Sequence, residues 1–134
     1  MCHLKRLMIV WEKFFLQCNN SKKVYMQTAP YCVFCKIVTG DEPANIVYED
    51  DKYIVIQNVL RWVPVMLLAM TKEHRLQEEL WADIGDIGKI ASQIGKKSSP
   101  QGFRLVSNFG HSAMQSQEHG HVHIVGGTSL GPYV

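Results

Sequence analysis

"EHGHVHIVGG", residues 118–127, sets three of the chain's six histidines at alternate positions, with a Gly-Gly pair behind them. Side chains alternate between the two faces of a β-strand. His119, His121 and His123 therefore share one face. Gly120, Val122 and Ile124 share the other, which is expected to pack on a helix or the core. Successive imidazoles start roughly 6–7 Å apart, from about 3.3 Å of rise per residue. One histidine on a strand is most simply a packed or solvated side chain. Three in strict alternation call for chemistry near neutral pH, where imidazole is a nucleophile, a proton carrier or a metal ligand.

The surrounding chain narrows the choice. Its 134 residues are 46% apolar and 19% charged, which fits one globular domain with a modest core and not a disordered chain. The net charge is only +2, and no dense Lys/Arg stripe interleaved with aromatics occurs. Nucleic acid is not an expected partner, whereas a small phosphate-bearing ligand needs only a local site. No run of about 18 uncharged apolar residues exists, so no membrane partner is expected either. "LMIVWEKFFL" (7–16) is interrupted by Glu12 and Lys13 and does not read as a signal peptide. The expected compartment is the reducing cytoplasm. Of the four cysteines, Cys2 and Cys18 are scattered, and Cys32 and Cys35 form C-x2-C, a metal or redox motif in that setting.

Residues 1–30 form an N-terminal extension of unclear order, either a partly helical arm or a loose leader. Residues 31–134 form the domain. "CVFCKIVTG" (32–40) reads as a metal knuckle leading into a short helix stopped by Gly40. "ANIVYED" (44–50) and "KYIVIQN" (52–58) are β-rich runs about an "EDDK" turn, and "VPVMLLAM" (63–70) is a buried strand. From Leu76 to about Lys97, apolar residues at Leu80, Ile84, Ile87, Ile90, Ala91 and Ile94 recur at helical spacing. "GFRLVSN" (102–108) and "HVHIV" (121–125) are the last strands. The order gives an α+β fold: a mostly antiparallel five-stranded sheet, one long helix and a short N-terminal helix.

An H-x-H strand can hold a catalytic zinc with three protein ligands and an open position. The C-x2-C changes that count. Cys32, Cys35, His74 and one triad histidine would complete Cys2His2, a closed structural site. Reduced, unliganded thiols are the plain alternative. A redox pair would prefer a thioredoxin-like βαβ setting, which the element order lacks.

"HGHVHIV" resembles the His-φ-His-φ-His-φ-φ signature (φ apolar) of the histidine triad (HIT) family. The likeness extends over roughly residues 31–127. "YCVFCKIVTGDEPANIVYEDDKYIVI" resembles the family's N-terminal strand region, "VPVMLLAMTKEH" its third strand and "GFRLVSNFGHSAMQSQEHGHVHIVGG" its C-terminal strand pair. The "QS" before the triad and "GG" after it resemble the Hint branch.

That resemblance implies a nucleotide hydrolase or transferase acting on a nucleoside phosphoramidate or related ester of a purine nucleotide such as AMP or GMP. His121 would be the nucleophile, forming a nucleotidyl-histidine that water cleaves. His123 would bind phosphate oxygens and Ser116 the leaving group. Asn108 and Gln115 would serve the phosphate, and Asn58 the ribose. The same likeness assigns a structural zinc to Cys32, Cys35, His74 and His119, with His119 also beside the nucleophile, and it implies a homodimer. An apolar nucleoside pocket would draw on Val33, Phe34, Ile37, Ile56 and Val59. Plain readings stand beside these: Asn108 as a turn former, Ser116 as a loop serine, His74 as a surface residue, and the apolar five as simple core.

The chain departs from the family pattern at four places. Gly120 replaces a bulky apolar residue. Asn58 stands where relatives carry an Asp. Met114 stands where a glycine is common, so its Cβ would crowd a positive-φ turn. The tail "TSLGPYV" lacks a Trp. These departures keep a second reading open, a nucleotide-binding module with little turnover. A third, a zinc hydrolase with an open site on the triad, predicts a metal held by at least two triad histidines.

Overall fold

The computed structural model describes residues 27–132. Along the chain lie α1 (Val33–Thr39), β1 (Ile46–Glu49), β2 (Tyr53–Gln57), β3 (Val65–Thr71), α2 (Gln77–Ala82), α3 (Ile84–Ser98), β4 (Phe103–Val106) and β5 (His121–Gly126). The strands form one sheet in the order β1-β2-β3-β5-β4, and every pairing is antiparallel. The α+β class with five strands and a short N-terminal helix is therefore as expected.

Local chemistry explains the element ends. Gly40 takes a left-handed φ of 85° and returns its N–H to Ile37, closing α1. The β1–β2 turn is set by Asp50, whose carboxylate accepts the Lys52 and Tyr53 N–H groups at 2.8 and 2.7 Å. At the far end of β2 the Asn58 Oδ1 accepts the Leu60 N–H at 3.0 Å and starts the turn toward β3.

The long helix differs from its expected form. It breaks at Asp83, whose φ of −131° and ψ of 45° lie outside the helical region, so α2 and α3 are separate. The apolar spacing Leu80, Ile84, Ile87 runs unbroken through the break and cannot report it. Asp83 and nearby Gly85 are weak helix formers, and helical order yields there first.

Two apolar layers sandwich the sheet. Tyr53, Val55, Leu67, Ala69, Val122 and Ile124 pack with Leu80 of α2 and Ile87 and Ala91 of α3. On the opposite face Ile54, Ile56, Leu68 and Met70 pack with Ala29, Cys32, Phe34 and Cys35. Strands covered on both faces have no polar side, which is why β3 reads as an unbroken apolar run.

The folded body begins before Tyr31. The His74 N–H donates to the Gln27 carbonyl at 2.7 Å, and Ala29 is buried. The reading of the extension's order over residues 1–26 falls outside the described residues. Among the described residues, no helix is long and apolar enough to cross a membrane.

Candidate active site and metal centre

β5 carries the triad into the middle of the sheet. His121 pairs with Met70 and His123 with Leu68 on β3, while His119 sits just ahead of the strand in a bridge to Leu76. Phe34 of α1 makes edge contacts with the His119 and His121 rings at 5.8 and 5.4 Å between centroids. The His121 and His123 rings lie 5.0 Å apart. All three imidazoles thus face α1, while Val122 and Ile124 enter the opposite core layer. Gly120 faces α2 at close range: a Cβ there would stand 2.9 Å from the Leu76 carbonyl oxygen and 3.0 Å from Leu80 Cβ. A bulky residue does not fit, which accounts for the glycine.

Cys32 precedes α1 and Cys35 lies one turn in, so both thiols point toward β5. The ligand atoms of Cys32, Cys35, His74 and His119 all lie within 4.8 Å of one another. Sulfur and nitrogen bound tetrahedrally to zinc, at about 2.3 and 2.0–2.1 Å, must stand about 3.6 Å apart. The observed separations match: 3.5 Å from Cys32 Sγ and 3.6 Å from Cys35 Sγ to His119 Nδ1, and 3.3 Å from Cys35 Sγ to His74 Nδ1. The His119 Nε2–H donates to the Thr71 carbonyl at 2.7 Å, which leaves Nδ1 as the ligating atom. Burial pushes the His119 pKa down to about 4, so the ring is neutral as ligation requires. The Ala29 N–H approaches Cys35 Sγ at 3.3 Å, a donor that favours a thiolate, while burial pushes the Cys35 thiol pKa up. The four residues fit a zinc ion. His119 is the only triad member in the cluster, against an open site built on two of them.

His121 and His123 instead open into a cavity of about 580 Å3. Its apolar wall includes Val33, Phe34, Ile37, Ile56 and Val59, of which Phe34 and Ile56 also belong to the core layer. Asn58 and Ser116 also line it. Asn108 and Gln115 do not. The Asn108 side-chain amide donates to the Ala113 carbonyl. Gln115 accepts the Gly110 N–H at 2.8 Å and donates to the Gln117 carbonyl at 3.1 Å. Both side chains brace the loop before β5. In that loop Met114 holds a left-handed φ of 63°, the one non-glycine with positive φ among the described residues. A larger hollow, about 910 Å3, lies between the α3–β4 turn and residues 127–131, and no triad residue lines it.

The His121 ring is oriented by its own backbone. Its Nδ1–H donates to the His119 carbonyl at 2.8 Å, so the lone pair lies on Nε2. Burial lowers the pKa of His121, and that backbone bond opposes the shift. Burial, followed by the charge of His121, lowers His123 to about 4. Both rings are therefore neutral at pH 7.

Gln77 belongs to this site and escaped sequence reading. Its side chain is 1% exposed. The Oε1 accepts the His121 N–H at 2.7 Å, and the Nε2 donates to the His121 and Asn108 carbonyls at 3.1 Å each. Ser107 Oγ adds a fourth bond, to the His121 carbonyl at 2.8 Å. The available signal was a polar residue on the inward stripe of Leu80, Ile84 and Ile87.

Residues 31–133 match the family described as "Scavenger mRNA decapping enzyme C-term binding". A "14 kDa zinc-binding protein" of Brassica juncea is 33% identical over 106 residues, 73% of this chain and 94% of that protein. "Protein hit" of Bacillus subtilis is 32% identical over 106 residues, covering 75% and 73% respectively. Among solved structures, a HIT family hydrolase from Clostridium thermocellum superimposes with a TM-score of 0.72 at 34% identity, over 80% of this chain and 99% of the other. A histidine triad protein from Clostridium difficile gives 0.73 at 28% identity, over 81% and 100%. With the triad on one strand face, the C-x2-C in place beside it and this agreement in sequence and fold, the chain belongs to the histidine triad family.

Proposed function

We propose that this chain is a hydrolase of nucleotide substrates that works through a covalent nucleotidyl-histidine on His121. The observation that carries the reading is the His121 ring itself. It is neutral, holds its Nδ1–H on a carbonyl, and lines the same cavity as His123, Ser116 and an apolar wall. The similar hydrolase from Clostridium thermocellum agrees with the reaction class.

In the first step the Nε2 lone pair of His121 attacks the α-phosphorus of a purine nucleotide such as an AMP or GMP phosphoramidate. A P–N bond forms as the bond to the leaving group breaks; the leaving atom departs with the bonding pair, held by a hydrogen bond from Ser116 and protonated by water. His123 donates a hydrogen bond to the phosphate oxygens. Water then attacks the phosphorus, the nucleoside monophosphate departs, and His121 is restored. Splitting one displacement into two lowers each barrier, and fixed donors stabilise the equatorial oxygens.

Zinc on Cys32, Cys35, His74 and His119 takes a structural role. It ties α1, one wall of the cavity, to the residue whose carbonyl orients His121. A homodimer completes the proposal, joined along the free edge of β4, where Leu105, Val106 and Phe109 stay exposed.

The test is AMP release from an amine-linked adenosine phosphoramidate, together with trapping of adenylated protein. Wild type should turn over and label, and His121→Ala should do neither. Release by wild type no faster than by His121→Ala would sink the reading. The internal bonds of Asn108 and Gln115 favour a second reading, a nucleotide-binding module short of phosphate donors. It predicts AMP binding by calorimetry without labelled protein.

A further inference from the structure

The end of the cavity away from the triad is chemically lopsided. It is formed by Asn45, Gln57, Asn58 and Arg61, where β1 begins and β2 turns toward β3. Two of the three amides spend their oxygen inside the protein. Asn58 Oδ1 accepts the Leu60 N–H at 3.0 Å, and Gln57 Oε1 accepts the Asn45 Nδ2–H at 3.2 Å. Asn58 keeps its amide N–H groups and one lone pair on Oδ1, while Gln57, the neighbour of Ile56 on β2, falls on the strand face that carries Val55. Asn58 is 6% exposed, so its amide is built into the wall. Arg61 adds a guanidinium, a donor-only group with a full charge. No Asp or Glu lines the cavity, and Arg61 is its one permanently charged residue. Side-chain acceptors at this end are Asn45 Oδ1 and the second lone pairs of the Asn58 and Gln57 oxygens.

Ribose hydroxyls need acceptors for their protons, and this wall offers mainly donors. A ribose phosphate reverses the requirement, since it brings acceptor oxygens and negative charge. Nucleotide cofactor sites show the same exchange, an acidic residue for a free ribose hydroxyl and an Arg for a phosphorylated one.

The spacing is compatible. His123 pairs with Leu68, and Leu68 with Ile56 on β2. Asn58 follows two residues later on the same face. Two strand spacings and two residues of rise separate the Cα atoms of His123 and Asn58 by about 11–12 Å. With side chains reaching inward from both ends, the gap accommodates a ribose carrying one anion at each side.

We infer that the amide-and-Arg61 end of the cavity is a second anion subsite, selecting nucleotides whose ribose carries a 2′- or 3′-phosphate beside the 5′-phosphoryl group that meets the triad. This rests on the nucleotide reading proposed above and names its substrate class.

Calorimetry on the full, zinc-loaded chain tests it with four probes: AMP, adenosine 2′,5′-bisphosphate, adenosine 3′,5′-bisphosphate and ADP. One of the two bisphosphates should bind at least tenfold tighter than AMP at low salt, and the ratio should shrink as salt rises. Arg61→Gln should reduce that ratio to within about twofold. Asn58→Asp, which retains the bond to Leu60 N–H, should turn the preference toward AMP. Bisphosphates that bind no tighter than AMP would overturn the inference while leaving the nucleotide reading intact. So would a gain for ADP as large as for the bisphosphates and equally dependent on Arg61, because the anion would then sit on the leaving-group side. If none of the four probes binds, the nucleotide reading falls and takes the subsite with it.

Discussion

At the scale of single residues, the site depends on side chains that hold the backbone of β5. Gln77 grips both the N–H and the carbonyl of His121 from within the core. Gln77→Met keeps the volume and removes the partners, leaving buried polar groups short of bonds at about 1–3 kcal/mol. Urea unfolding should register that loss, and turnover should fall with it; unchanged stability would show that the clamp does not stabilise the fold. Gly120 is a second such residue. Gly120→Val must push Leu76 and Leu80 apart, which overpacking data place at about 1–3 kcal/mol. Because His119 and His121 flank it, metal content should also drop, and zinc analysis of the purified variant checks this.

At the scale of elements, the Cys2His2 cluster joins α1, the end of β3 and the approach to β5. Removing zinc should release α1 from the sheet and open the cavity wall at Phe34. A loss of about 2 kcal/mol would lower the melting temperature by about 7–9 °C in a domain of this size. Cys35→Ser should reproduce the effect without a chelator. A melt insensitive to both would deny the metal its structural role. Elements also mark where sequence reading stopped. Strand faces were legible because a period of two is simple: the triad, Val122 and Ile124 all fell where alternation put them. The break at Asp83 was not, since apolar spacing passes through it unchanged. The role of Gln77 was hidden because the two residues it binds, Asn108 and His121, lie 31 and 44 positions away.

For the whole molecule, burial of neutral histidines couples folding to pH. His123 ionises at about 4 in the folded chain and near 6.5 when unfolded. Between those values the unfolded state binds more protons, so stability falls as pH drops from about 6.5 toward 4 and is unaffected above. His123→Gln should flatten that slope in melts across pH 4–7, and an unchanged slope would show that His123 is not buried neutral.

By itself, the sequence determined the class of fold and the shared face of the three histidines, and motif likeness named Cys32, Cys35, His74 and His119 as one candidate ligand set. Each follows from spacing, residue type or motif likeness, and each is carried by a local stretch of chain. Only the tertiary structure gathered the side chains of Cys32, Cys35, His74 and His119 into one cluster and opened His121 and His123 onto a cavity. It also turned Asn108 and Gln115 into the loop, brought Gln77 onto the His121 backbone, and left amide donors beside Arg61. These outcomes depend on which hydrogen-bond partners distant segments present to one another, and that pairing exists only once the sheet and helices have packed.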